Sequence, residues 1–454
     1  MKSLWAETAL TPAGWQARVR VDIAPDGRIA SVTPDSDPAG ERLDLLLPAP
    51  TNLHSHAFQR AMAGLTEARG PDPQDSFWTW RRLMYRFLEA LGPEEVEAIT
   101  AFVQMEMLEA GYAAVAEFHY LHHAPGGAPY ADMAEMSVRI AAATDTTGIG
   151  LTLLPVLYQW GGCDRRPLVA GQDRFHGTPD SFARLHAGAR TAIAGLPADT
   201  RLGVAPHSLR AVDQDGLAAA VALAGDGPIH IHAAEQAAEV AEVAARLGAR
   251  PVAWLLAEMG VDPRWCLIHA TRMTPEETAG LAASGAVAGL CPITEASLGD
   301  GIFDGAAFLS AGGRFGVGSD SNIRISLSEE LRALEYSQRL RDRARAVLAR
   351  SGASTGRVLF EGAARGGAQA AGRAAGAIAP GLEADLVALD TGSVALAGLG
   401  GDTLLDSFVF AGDDRLVREV WSAGRHVVSA GRHRARDAIT DRYRAVLARL
   451  RGQL

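Results

Sequence analysis

The sequence predicts an α/β protein, a (β/α)8 TIM barrel with a small β-sandwich domain formed by both termini. Two observations lead to this fold class. Apolar strand-like runs alternate with helical stretches through the middle of the chain, whereas short alternating strands occupy both ends. Eight strand–helix units over roughly 270 residues are typical of such a barrel.

The two ends of the chain share the same pattern of short strands. Residues 17–23 and 28–32 alternate apolar and polar side chains on either side of a turn at Pro25-Asp26-Gly27. Near the C-terminus the predicted strands are residues 384–390, 406–410, 416–421 and 425–429. We therefore expect a small β domain from residues 1–47 and 380–434, a barrel domain at 48–379, and a C-terminal helix in 435–454.

Eight apolar runs in the middle of the chain are the predicted barrel strands. The first is Leu45-Leu46-Leu47, which leads into His54. Helices are predicted between the strands, and one begins at Gly92-Pro93-Glu94-Glu95, where proline and acidic residues occupy the first turn. The other seven strands are residues 113–118, 149–157, 202–205, 228–232, 265–269, 286–290 and 315–318.

Composition and charge exclude several classes of protein. The formal net charge of -10 argues against a protein that binds nucleic acid. No run approaches the roughly 18 apolar residues of a membrane helix, and the N-terminus lacks the apolar segment of a secretory signal. Cys163, Cys266 and Cys291 are widely spaced and odd in number, which argues against a disulfide framework. We therefore expect a cytoplasmic protein with no nucleic-acid or membrane partner.

Histidines cluster where the predicted barrel strands end. Of the 13 histidines in the chain, six lie at these ends, namely His54, His56, His119, His207, His232 and His269. Histidines needed only for packing would be scattered along the chain. Because a barrel builds its active site from the C-terminal ends of its strands, we predict the site there.

Three of these histidines are predicted metal ligands. His54 and His56 are two residues apart on an extended segment, so both imidazoles point to the same side. His230 and His232 are related in the same way, but His230 lies one layer deeper and is interpreted as a hydrogen-bonded core histidine. Because neutral imidazole is a good zinc ligand, His54, His56 and His232 are the expected set.

Asp320 ends the last predicted strand, in the segment Gly316-Val317-Gly318-Ser319-Asp320. Its side chain could cap the next helix. It could equally be the fourth metal ligand and the base that accepts a proton from the bound water. Three histidines and one aspartate leave room for that water, as a catalytic zinc site requires. The only lysine is Lys2, so no internal lysine is available to bridge two metals. We expect one Zn²⁺ per subunit, and the same ligands also suit Fe²⁺ or Mn²⁺.

The order of these residues, from His54-Ser55-His56 through His232, Glu235 and His269 to Asp320, resembles the amidohydrolase superfamily in its mononuclear deaminase branch. The resemblance covers essentially the whole chain, because residues 380–387 are similar to the strand by which the family returns to its small β domain. Within the branch, the chain looks most like the formimidoylglutamate deiminase family, through residues 52–60, 77–81, 117–120, 205–210 and 291–301. The last of these segments departs from the Ser-Asn that nucleobase and related deaminases tend to carry there.

This resemblance implies a zinc-dependent hydrolase that acts on a C–N bond of a linear amidine. The expected reaction is the deimination of N-formimino-L-glutamate to N-formyl-L-glutamate and ammonia in histidine degradation. Asp320 is expected to accept a proton from water, Glu235 to carry a proton to the leaving nitrogen, and His269 to stabilise the group at the reacting carbon. The implied partners are a small anionic substrate and a second copy of the chain in a homodimer.

Five residues are expected to hold the glutamate part of the substrate, namely Gln59, Arg81, Tyr120, His207 and Arg210. Tyr120 and His207 follow from the resemblance together with their positions at strand ends. Arg81 and Arg210 have a physical reason of their own, because a guanidinium group binds a carboxylate through two hydrogen bonds. Arg82 is the alternative to Arg81.

Three other functions stay open at this point. A deaminase of the same branch would act on a heteroaromatic amine, such as guanine or a nucleoside, in an apolar or stacked site without two arginines. An amide or lactam hydrolase would use the same scaffold without releasing ammonia. A metal-free relative would be a binding protein, and such relatives are expected to lose metal ligands. Residues 57–91 are interpreted as either a lid or a dimer contact.

Overall fold

The computed structural model describes residues 1–67, 77–169 and 171–452, with the backbone alone for residues 77–79 and 81–83. The strands are β1 Lys2–Thr11, β2 Gly14–Ile23, β3 Ile29–Thr33, β4 Glu41–Pro48, β5 Thr51–Ser55, β6 Ala114–His119, β7 Gly150–Leu157, β8 Arg201–Leu202, β9 Ala205–Pro206, β10 Ile229–Ala233, β11 Trp265–His269, β12 Val287–Leu290, β13 Arg314–Val317, β14 Leu386–Leu389, β15 Val417–Ser422, β16 Arg425–Ser429 and β17 Arg432–His433. The α-helices are α1 Phe77–Leu88, α2 Pro93–Glu109, α3 Glu135–Thr147, α4 Pro179–Ala192, α5 Gln214–Ala224, α6 Ala237–Leu247, α7 Pro251–Glu258, α8 Pro275–Ser284, α9 Pro292–Leu298, α10 Gly305–Ser310, α11 Leu327–Asp342, α12 Thr355–Ala370, α13 Asp402–Phe410 and α14 Arg436–Arg451.

Eight strands from the two ends of the chain form one sheet, in the order β17-β16-β15-β14-β4-β1-β2-β3. Strand β4 joins the two halves, because it pairs in parallel with β1 and antiparallel with β14. Buried side chains from both ends, among them Leu4, Leu46, Leu386 and Trp421, share one core. The predicted β structure built from both termini is confirmed, and its strands form one continuous hydrogen-bonded sheet.

The middle of the chain supplies eight parallel barrel strands, in which β8 and β9 are the two halves of the fourth. Strands β5 to β9 form one parallel sheet, and β10 to β13 form another. Parallel bridges join the two sheets on both sides, between Ser55 and Asp320 and between Val204 and Ile229. The predicted TIM-barrel fold class is therefore confirmed, and the C-terminal ends of the strands meet at one end of the barrel.

The first barrel strand differs from the predicted one. Leu45-Leu46-Leu47 lies in β4 of the terminal sheet, and the barrel begins one strand later, at β5. Pro50 stands between the two strands, and proline interrupts a ladder because it has no N–H to donate. As a result, His54 lies inside a barrel strand and is fully buried.

The predicted strand at residues 406–410 is wrong, because this segment is the second half of helix α13. The apolar residues Leu404, Leu405 and Phe408 are buried at helical spacing, and the ring of Phe408 lies 6.2 Å from that of Phe360 on α12. A run of five mostly apolar residues fits a strand and a buried helix equally well. Packing against α12 decides between them.

Helix α14 packs against α2, where the rings of Tyr443 and Phe102 are stacked with their centroids 3.9 Å apart. In the described ranges, no helix combines the length and the apolar character required to cross a membrane. We propose that the domain boundaries lie at residues 47–48, 379–380 and 434–435, where the sequence predicts them.

A buried cluster of charged side chains connects the barrel to the terminal sheet. Arg373, which follows α12, donates to the carboxylate of Asp385 at 2.9 Å and to that of Asp199 at 3.2 Å. Arg425 of β16 donates to the other oxygen of Asp199 at 2.6 Å. The side chain of Arg373 is completely buried, so its charge depends on these carboxylates rather than on water.

Candidate active site

The three predicted ligand histidines and Asp320 meet at the C-terminal end of the barrel. His54 lies on β5, His56 follows it, His232 lies on β10 and Asp320 follows β13. The Nε2 atoms of His56 and His54 lie 3.2 Å and 3.5 Å from Oδ1 of Asp320. The Nε2 atoms of His54 and His232 are 3.2 Å apart. All four side chains are buried.

Backbone carbonyls orient two of these imidazoles. The Nδ1 atom of His56 donates to the carbonyl of Phe118 at 3.0 Å, and that of His232 donates to the carbonyl of His207 at 3.0 Å. Each bond places the ring hydrogen on Nδ1, so Nε2 presents its lone pair to the centre. Burial lowers the pKa of His54 to about 3 and also lowers those of His56 and His232, which keeps the imidazoles neutral.

These four residues fit a single divalent metal ion. Ligands bound at 2.0–2.1 Å in a tetrahedral zinc site lie roughly 3.3 Å from one another. The observed separations are 3.2, 3.2 and 3.5 Å, and one donor atom from each residue lies within 4.8 Å of the others. Burial alone would raise the pKa of Asp320, but His54 and His56 lower it, so this residue is a carboxylate.

Asp320 is held in a strained backbone conformation by a network of polar residues. Its φ angle is 45°, in the left-handed region that non-glycine residues seldom adopt. Its amide donates to the carbonyl of His54 at 2.9 Å, and the Ser319 amide donates to the Asn52 side chain at 3.1 Å. Asn322 donates to the Ser55 hydroxyl at 3.1 Å. This network fixes the end of β13 against the end of β5.

Glu235 and His269 lie beside the ligand cluster. The Nε2 atom of His269 is 3.8 Å from Oε1 of Glu235 and 3.9 Å from Oδ2 of Asp320. Burial raises the pKa of Glu235 to about 7. Burial alone would lower the pKa of His269, but the carboxylates of Glu235 and Glu295 raise it to about 10. The pair therefore offers one group that can exchange a proton near neutral pH and one cationic donor.

A cavity opens beside these residues. Its lining includes His56, His232, Glu235, His269 and Asp320. Four predicted substrate residues, Gln59, Tyr120, His207 and Arg210, line the same cavity. The structure therefore brings the predicted catalytic, metal and substrate residues together, with the exception of Arg81, whose side chain lies outside the described residues, as does that of Arg82.

The predicted substrate residues are fixed by contacts of their own. The amide of Gln59 donates to the Tyr120 hydroxyl at 2.6 Å. Nδ1 of His207 lies 3.0 Å from the Ser208 hydroxyl oxygen. Arg210 is only 5% exposed, and its positive charge favours the ionised forms of Glu235 and Glu239 against the effect of burial. A buried guanidinium group in this cavity is suited to an anionic ligand.

Several residues of the cavity wall are not among the predicted site residues, namely Trp80, Met84, Tyr158, Phe175, Leu298 and Ser321. Tyr158 directly follows β7, so its strand-end position was an available signal. Trp80 and Phe175 come from segments outside the barrel strands, and no strand-end signal marks them. His119 is also at a strand end, but its ring lies against that of His122, with 4.8 Å between the centroids. Adjacent residues of an extended segment point to opposite sides, and Tyr120 rather than His119 points to the cavity.

Comparison with protein families gives matches along almost the whole chain. The model of the amidohydrolase family matches residues 45–427. A second model, described as the N-terminal domain of formimidoylglutamate deiminase HutF, matches residues 1–44. The chain belongs to the amidohydrolase family.

Individual relatives indicate the group of amidohydrolases to which this chain is most similar. A formimidoylglutamate deiminase of Pseudomonas aeruginosa is 50% identical over 454 residues, which cover 99% of this chain and 100% of that protein. The match places the chain in the formimidoylglutamate deiminase group. The predicted family and enzyme class are confirmed, since members of this group are hydrolases that act on a C–N bond.

Solved structures agree with the fold. The crystal structure of an amidohydrolase from Brucella melitensis has a TM-score of 0.95 and 48% identity, and the match covers 99% of this chain and 100% of that one. An adenosine deaminase from Xanthomonas campestris with bound zinc has a TM-score of 0.82 at 22% identity, over 99% of this chain and 98% of that one. The second likeness concerns the fold alone. Amidohydrolases are metal-dependent, and the cluster of three histidines and Asp320 is the candidate metal site of this member.

Proposed function

We propose that this amidohydrolase hydrolyses N-formimino-L-glutamate to N-formyl-L-glutamate and ammonia, as a step of histidine degradation. Full-length similarity to a formimidoylglutamate deiminase supports the proposal. The observation that carries it is the buried guanidinium group of Arg210, which lines the same cavity as the metal-site residues. Such a group binds the carboxylate of an amino-acid substrate, whereas a neutral purine ring does not require it.

The residues of the cavity suit this reaction. His54, His56, His232 and Asp320 would hold a divalent metal ion, which would supply a Lewis acid that makes a water molecule easier to deprotonate. As the water oxygen bonds to the formimino carbon, the Asp320 carboxylate accepts the first water proton and Glu235 gives its own proton to the terminal nitrogen. The C–N bond then breaks, the nitrogen takes the proton held by Asp320 and leaves as ammonia, and the remaining hydroxyl proton passes to Glu235 as the formyl C=O forms.

His269 has a separate role at the same carbon. Its Nε2 atom lies between the carboxylates of Glu235 and Asp320, at 3.8 and 3.9 Å, and lines the cavity. A donor in this position stabilises the charge that develops as water adds to the formimino group. The fixed position of the donor matters most, because a preorganised donor does not have to reorient during the reaction.

The glutamate part of the substrate is proposed to lie toward Gln59, Tyr120, His207 and Arg210. Arg210 binds one carboxylate, and Gln59 and Tyr120, which are hydrogen-bonded to each other, supply further polar contacts. Arg81 is proposed for the second carboxylate on the sequence argument alone. These contacts distinguish an acyclic dianion from a flat heterocycle.

Release of ammonia from defined substrates tests the proposal. The purified enzyme is expected to release ammonia from N-formimino-L-glutamate and to leave guanine, adenosine and related purines unchanged. Product analysis should show N-formyl-L-glutamate together with ammonia, whereas a lactam hydrolase would open a ring without releasing ammonia. Turnover of purines alone would show that the proposed substrate is wrong.

A second candidate, deamination of a heteroaromatic amine, is favoured by one observation. Trp80, Tyr158 and Phe175 give the cavity an aromatic wall on which a purine ring would stack. Arg210 argues against it, because a neutral ring makes no use of a buried guanidinium group in the cavity lining. The same substrate panel separates the two candidates.

We further propose one Zn²⁺ per subunit, a homodimer and a cytoplasmic location. The ligand set suits zinc, although iron and manganese accept the same donors. The three cysteines are free rather than paired, which is typical of a reducing compartment. Elemental analysis and analytical ultracentrifugation test the first two proposals, and a metal content well below one ion per chain would favour a metal-free binding protein.

A further inference from the structure

The carboxylate of Glu295 contacts the side of His269 that faces away from the cavity. Glu295 lies in the first turn of α9, and its Oε1 atom is 3.3 Å from Nδ1 of His269. The other ring nitrogen, Nε2, faces Glu235 and Asp320. Glu295 is not among the described residues that line the cavity, but the imidazole that it contacts is.

Glu295 is itself held in a fixed position. Its Oε1 atom accepts the Cys291 amide at 2.8 Å, and its own amide donates to the Cys291 carbonyl at 2.8 Å. The Asp300 amide donates to the carbonyl of Glu295 at 3.0 Å. Glu295 is only 5% exposed. The buried carboxylate cannot move away from the imidazole without losing its hydrogen bond to the Cys291 amide.

The backbone of His269 is strained, and its ring contacts Glu295 on one side. Its φ angle is 70° and that of Ala270 is 51°, so two consecutive non-glycine residues are in the left-handed region. A carboxylate only accepts hydrogen bonds, so Nδ1 of His269 must carry the hydrogen that joins the two groups. Turning the ring over would place a carbon atom against Glu295 and leave a buried carboxylate oxygen without this donor.

We propose that Glu295 is a positioning residue for His269, which fixes the imidazole ring with Nδ1–H toward α9 and Nε2 toward the reacting carbon. The inference rests on the proposed function, since it assigns a support to the group that stabilises the reacting centre. Its chemistry is that of a carboxylate behind a histidine, an arrangement that fixes ring orientation and hydrogen position.

A double-mutant cycle tests the proposal with Glu295→Leu and His269→Asn. Glu295→Leu removes the acceptor oxygen and is expected to lower kcat roughly 10- to 100-fold, with little change in KM and in metal content. In the His269→Asn background, the same substitution is expected to cause no further loss, because the ring that Glu295 positions is absent. Losses that multiply in the double variant would overturn the proposal, as would an unchanged kcat in Glu295→Leu.

Glu335→Leu is the matched control. Glu335 is also buried and accepts the backbone amides of Val347 and Leu348, but it lies on α11 away from the cavity. The Glu335→Leu variant should have lower thermal stability and an unchanged kcat, and a fall in kcat equal to that of Glu295→Leu would overturn the assignment to positioning.

A second measurement does not depend on a variant of Glu295. In wild-type enzyme labelled with ¹⁵N in its histidine rings, the His269 resonance, assigned by its loss in His269→Asn, should show a hydrogen on Nδ1. A ring without that hydrogen would overturn the proposal. The kinetic cycle is run with whichever compound the wild type turns over, so a wrong substrate assignment and a wrong role for Glu295 give different results.

Discussion

The Nδ1 atom of His56 donates a hydrogen bond of 3.0 Å to the backbone carbonyl of Phe118. Because Phe118 belongs to β6, the neighbouring strand orients a ligand that follows β5. His232 is oriented in the same way by the carbonyl of His207. Hydrogen bonds of the protein itself therefore hold the Nε2 atoms of two ligands in place, independently of a metal ion.

Removal of the metal is accordingly expected to abolish activity while the fold survives. Chelation followed by dialysis should leave the far-ultraviolet circular dichroism spectrum unchanged and eliminate ammonia release. Added zinc should restore activity and raise the midpoint of thermal unfolding, because an ion at 100 times its Kd stabilises the folded state by about 2.7 kcal/mol. An apoprotein without secondary structure would contradict a preformed site.

Substitution of Asp320 tests the second half of the cluster. Asp320→Asn keeps the shape of the side chain but removes the carboxylate that accepts the proton, so kcat is expected to fall by about 10²- to 10⁴-fold or more. The strained backbone at this position is held by neighbouring residues, so the melting temperature should change little. Metal content is measured in parallel, and activity close to that of the wild type would remove Asp320 from the mechanism.

Arg210→Ala is expected to weaken substrate binding more than it slows the reaction. Loss of a hydrogen bond to a charged group costs about 1.5–3 kcal/mol, which corresponds to a KM increase of roughly 10- to 100-fold. Steady-state kinetics measures KM and kcat separately. The control is Arg415→Ala, whose side chain is 91% exposed and far from the cavity, and which should behave as the wild type. An unchanged KM in Arg210→Ala would remove Arg210 from the substrate site.

Much of this site follows from the positions of polar residues at strand ends. His232, His269 and Asp320 are recognisable in the sequence because each comes at or just after the end of an apolar run, and His54 and His56 are recognisable by their spacing of two residues. The C-terminal ends of parallel strands meet at one end of a barrel, so residues far apart in the chain could be placed together before the structure was known.

Other features depend on tertiary contacts that no local pattern records. The run Leu45-Leu46-Leu47 is equally suited to a barrel strand and to the terminal sheet, and its pairing with β1 and β14 decides between them. Glu295 reads as an ordinary acid in the first turn of a helix, and only the fold brings it to His269. Arg81 and Arg210 look alike in the sequence, since burial, which distinguishes a binding arginine from a solvated one, is a property of the folded chain.

The cluster around Arg373 provides a prediction about stability rather than activity. Its guanidinium group is completely buried and contacts Asp199, Glu383 and Asp385, so Arg373→Met would leave three carboxylates without their shared cation. Breaking a buried ion cluster in this way costs about 3–5 kcal/mol. Urea denaturation should show this loss, whereas kcat of the folded variant should match that of the wild type, because the cluster lies between the barrel and the terminal sheet.

Arg415→Ala, which removes an exposed partner of Asp413, serves as the control and should leave the urea midpoint unchanged. Equal midpoints for wild type and Arg373→Met would show that this cluster does not hold the two parts of the molecule together.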